Sequence, residues 1–84
     1  MTDPRERASM LLAEWLMCKD ARPKRNAVDI QIDKDLCQTW AQHLAKQFHW
    51  GTDSEITEAC NQLESRLQPL KEKIVIEVLK NGSV

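Results

Sequence analysis

Glycine and proline are scarce in this chain. There are two glycines and three prolines in 84 residues, and no tyrosine. Few backbone breakers and 30% charged residues favour helix. They also leave no Gly-rich loop that could cradle phosphates. No apolar run approaches the ~18 residues a membrane span needs. The longest, ASMLLAEWLMC at residues 8–18, is too short and holds Glu14. The expectation is a soluble protein with no membrane partner.

Cysteine is present but unpatterned. Cys18, Cys37 and Cys60 make an odd number, with no C-x-x-C and no signal-peptide pattern before them. Each falls on the apolar side of an expected helix, so reduced core thiols in a reducing cytoplasm are expected. His43 and His49 are six apart, about 240° around a helix, and do not converge on a metal. There is no H-x-x-x-H, H-E-x-x-H or G-x-S-x-G. No cysteine has a neighbouring base in an electropositive setting. The sequence therefore points to no metal, no cofactor and no enzyme.

Eighty-four residues make one domain, spanning residues 1–84. A domain this small buries only about 60–65% of its unfolded surface, so its core is thin. Net charge is −1. Residues 1–26 hold six basic and four acidic residues, and residues 27–84 hold six and nine. The positive excess sits in KDARPKR, where Arg22, Lys24 and Arg25 could touch phosphates or an acidic protein surface.

A mainly α fold of three to four helices is expected, at about 4–19, 34–49, 53–67 and 70–81. The first opens with Asp3 as N-cap, Pro4 at the first helical position and Glu6 completing a capping box. Residues 27–33, AVDIQID, alternate apolar and polar, which argues for an extended segment. In the second helix Leu36, Cys37, Trp40, Ala41, Leu44, Ala45 and Phe48 share one half of the wheel, and Gly51 is the stop. The third opens with a Thr52–Glu55 capping box and carries a stripe of Ile56, Cys60, Leu63 and Leu67. That stripe continues in phase through Pro69 as Leu70, Ile74 and Val78. A kinked helix or a fourth helix stacked end on end would explain it. KIVIEVL at 73–79 could also be a strand, given its four β-branched residues.

With strands at 27–32 and 73–79, the order of elements is similar to the opening of a winged-helix fold. LAKQFHWGTDSEITEACNQLESRL also looks somewhat like a helix-turn-helix. That resemblance implies a nucleic-acid-binding regulator. Opposing it, the second helix of the pair exposes Glu55, Glu58 and Glu64 against Arg66 alone, and binding to DNA rewards Lys and Arg.

The first helix is apolar on two sides. Ala8, Leu11, Leu12, Trp15 and Cys18 span an arc of about 120°, and Met10, Ala13, Leu16 and Met17 lie broadly opposite. Too few other helices exist to wrap it, so the second face is expected to meet another chain, either a protein partner or a second copy. Ile76 and Trp50 join that partner-binding set. Val75 and Leu79 also point away from the core stripe. The function expected is a small protein-binding regulator, adaptor or inhibitor.

Overall fold

The computed structural model describes residues 3–22 and 28–82, with side chains described through residue 79. They form three helices: α1 (Pro4–Asp20), α2 (Val28–Trp50) and α3 (Asp53–Gly82). There is no strand among the described residues, so the winged-helix order is not adopted.

The helix starts follow the local signals. Asp3 Oδ1 accepts a hydrogen bond from Arg5 N–H at 3.0 Å, and Pro4 opens α1. At α3, Glu55 N–H donates to Thr52 Oγ1 at 3.2 Å while Thr52 N–H donates to Glu55 Oε1 at 3.1 Å. That is the reciprocal capping box.

Two expectations are corrected. The segment expected to be extended at 27–33 is helical from Val28 onward; Ala27 lies outside the described residues. Of the alternating apolar residues only Ile30 is buried, and Val28 and Ile32 are exposed. Ile30 instead begins a helical stripe with Lys34, Cys37, Ala41 and Leu44. The second correction concerns Pro69. α3 passes through it without a break, so there is no separate fourth helix and no strand at 73–79. Pro69 stands on the exposed face, where the carbonyl it leaves unbonded can meet water. On the opposite face Leu67 and Leu70 are fully buried and Ile74 packs on the core. Burying them offsets the ~3 kcal/mol the proline costs.

The helices pack in a simple register. Arg7 meets Glu64 and Glu14 meets Lys71, both at a separation of 57, so α1 and α3 run parallel. Asp33 meets Lys73 near one end of α2, and Trp40 meets Arg66 further along, so α2 lies antiparallel to α3. A helix-turn-helix crosses at a steep angle instead. The core between them includes Trp15, Leu44, Ile56, Leu63 and Leu70.

Lys34 is the one charged residue buried among the described residues, at 7% exposure. Its ammonium donates to the carbonyl oxygen of Lys19 at 3.4 Å and to that of Ala21. A cation on the last carbonyls of α1 satisfies groups the helix cannot bond itself. Arg5 does the same for α2, donating from Nη1 to Phe48 O at 2.6 Å with its guanidinium over the Phe48 ring. α2 ends at Gly51, whose N–H bonds Gln47 O at 2.7 Å. A Cβ there would lie 2.8 Å from that same oxygen, so the close approach requires glycine although φ is not positive.

Candidate functional site

The described residues hold no group of three or more His, Cys, Asp or Glu side chains placed to bind a metal ion. The nucleophile candidates are the three thiols, all free and buried. Burial raises the pKa of Cys18 and Cys60, and pushes Cys37 up to about 11 with help from nearby Asp33. Protonated thiols inside a core are poor nucleophiles. No described helix is long and apolar enough to cross a membrane.

What the surface offers instead is exposed hydrocarbon. Met10, Leu16, Met17, Trp50 and Ile76 are all exposed, Met17 by 76%. Ala13 is exposed between them on α1. The structure brings only some of these together. Met10 lines a shallow groove between α1 and α3 with Arg7, Glu14, Gln68 and Lys71. Gln68 and Lys71 continue into a second, more apolar groove with Glu72, Val75 and Ile76. Met17 lies two helical turns beyond Met10 on the same line of α1, level with this second groove. The outer face of α1 and α3 is therefore one continuous surface. Leu16 stands on the other flank of α1, one turn from half-buried Leu12. Trp50 is 81% exposed and sits at the opposite end of the bundle, tilted against His49. It neither closes the core nor joins the α1–α3 face.

A second apolar surface was not expected. Val28, Ile32 and Leu36 are exposed at spacings of four along α2. Leu36 borders a groove with Asp33, Ser65, Arg66 and Pro69. The sequence places Leu36 and Val78 on core stripes, yet they are 51% and 62% exposed. Leu36 lies past the edge of the α2–α3 contact, and Val78 lies beyond the last residues that α1 and α2 can cover. The four-residue spacing of Val28, Ile32 and Leu36 was a usable signal, hidden by the alternation of residues 27–33.

Of the basic run, Lys19 and Arg22 are exposed. Lys24 and Arg25 lie outside the described residues. No family model, curated protein or solved structure matches this chain.

Proposed function

We propose that this protein is a small non-enzymatic binding module that docks on a larger protein, as a regulator, adaptor or inhibitor. The observation that carries this reading is the exposed hydrocarbon at one end of the bundle, Met17, Val75, Ile76 and Leu79 on the α1–α3 face and Val28 and Ile32 on the α2 stripe. Soluble monomers rarely leave contiguous apolar patches above a few hundred Å² uncovered unless they bind something. Supporting a role without catalysis, its candidate nucleophiles are buried and protonated. Three free thiols suit a reducing compartment such as the cytoplasm.

Affinity capture from nuclease-treated host lysate tests the reading, using the wild type beside Met17→Glu and Ile32→Glu. Both residues are exposed, so each variant should keep its helical circular dichroism. One protein captured stoichiometrically by the wild type and lost by one variant is the expected result, and the variant identifies the face. Equal capture by all three chains, or none by any, defeats it. A blank capture with nucleic acid recovered once nuclease is omitted, falling steeply with salt, would transfer the function to nucleic-acid binding.

A further inference from the structure

We infer that the outer face of α1 and the C-terminal half of α3 pairs with the same face of a second copy of this chain, about a twofold axis parallel to the helices. This deepens the protein-binding reading and rests on it: a second copy is the occupant of one of the two apolar surfaces.

The first argument is area. Met10, Met17, Val75, Ile76 and Leu79 are each more than half exposed. Together they present roughly 600 Å², most of the ~800 Å² per partner of a standard stable interface. Methionines at Met10 and Met17 can adapt to a self-contact without demanding one fixed shape.

The second argument is charge. The face carries two ion pairs one heptad apart and of opposite order. Arg7 on α1 faces Glu64 on α3 at 2.9 Å, and Glu14 on α1 faces Lys71 on α3 at 3.3 Å. An axis parallel to the helices sets α1 of one copy over α3 of the other at the same height. Each Arg7 then meets the other copy's Glu64 as well as its own, and each Glu14 meets a second Lys71. About this axis the two ion pairs are their own electrostatic complement.

The third argument selects the axis. A twofold across the helices would also match these charges. It would, however, lay α3 on α3 in opposite directions, so that each Val75–Leu79 end falls over the polar first turns of the other copy's α3, near Thr57, Glu58 and Asn61. Only the parallel axis lays the two apolar ends on each other.

The α2 stripe lacks this property. Val28, Ile32 and Leu36 are flanked by exposed Asp29 and Asp35, and two copies joined there would bring like charges together. That surface remains open to a different protein.

Sedimentation equilibrium of the full chain, from about 1 to about 300 µM, reads the self-association directly. The wild type is expected at twice its 9.7 kDa mass. Met17→Glu and Val75→Glu should each return the monomer, with association weakened about a hundredfold or more and helicity unchanged. A wild type that stays at 9.7 kDa throughout overturns the proposal. So does a dimer that survives both variants and dissolves with Ile32→Glu. A monomer that still captures a protein partner leaves the function reading intact. Failure of that reading shows separately, as a wild type that captures nothing from lysate.

Discussion

The two ends of this bundle are finished differently. At the turn between α2 and α3, Arg5 caps α2, Thr52 and Glu55 cap α3, and Gly51 makes the chain reversal tight. Among the described residues there, Trp50 is the single large hydrophobic side chain left strongly exposed. At the other end Lys34 caps α1. Around that cap, Met17, Val28, Ile32, Val75, Ile76, Val78 and Leu79 all face outward. A side-chain cation meets helix-end carbonyls at both ends, Arg5 at one and Lys34 at the other, while most of the exposed hydrocarbon lies at the second. A helix end can thus be stable by its own capping while its side chains still await a surface.

The widest separation between the ends should appear on truncating leucines. Leu44→Ala and Leu63→Ala remove fully buried side chains. Each should cost about 3–4 kcal/mol in denaturant unfolding. Leu79→Ala, measured in dilute monomer, should cost under about 0.5 kcal/mol. Equal losses would mean that the far end is core, and the contrast would collapse.

Lys34→Met is next. It keeps the buried stem and removes the cation from the carbonyls of Lys19 and Ala21. The expected loss is about 1–3 kcal/mol, with hydrogen exchange faster in the last turn of α1. Arg5→Met, at an exposed site, should cost less than about 1 kcal/mol.

Alkaline titration acts on the core that joins both ends. Cys37 has its pKa raised from 9.0 to about 11 in the folded protein. Above 9.0 the unfolded chain loses this proton first, so stability falls as pH rises, until the folded thiol also ionises near 11. Lys73, held by Asp33 at 2.5 Å, also has a raised pKa. Its contribution is present below its ordinary value of 10.5 and fades as pH climbs through the folded value, in the same direction. A melting temperature that drops by a few degrees over this range, with the drop reduced in Cys37→Ala, is the expected outcome. A flat profile would contradict it.

A single added methyl group probes the tight end. Gly51→Ala would push a Cβ against Gln47 O, and should cost about 1 kcal/mol. A neutral result would show that the turn has slack, and that the tight end is less finished than it looks.

Much of the fold could be read from the letters, for local reasons. Asp3, Pro4 and the Thr52–Glu55 box act within one turn of chain, and they mark the starts of α1 and α3 wherever those helices later pack. The stripes of Ala8, Leu11 and Trp15, and of Ile56, Cys60 and Leu63, likewise show their period without help. The start of α2 did not, because its core stripe contains a lysine. Counting Lys34 as polar leaves Ile30 isolated from Cys37, and the alternation of Val28, Ile30 and Ile32 then looks like a strand. Met10, Met17 and Ile76 were legible as surplus apolar residues. The stripe of Val28, Ile32 and Leu36 was lost with the start of the helix.

The sequence by itself determined that the chain is helical, where two of its helices begin, and which side chains form most of the core. Capping and hydrophobic period are short-range properties that each helix carries alone. Tertiary structure decided the rest. Lys34 can be buried because the carbonyls of a different helix receive its charge. α3 can continue through Pro69 because buried neighbours on both sides of it hold the helix in line. Val78 and Leu36 face water because the other helices end or turn away before covering them. Each of these depends on where a second helix lies, and no local pattern encodes that.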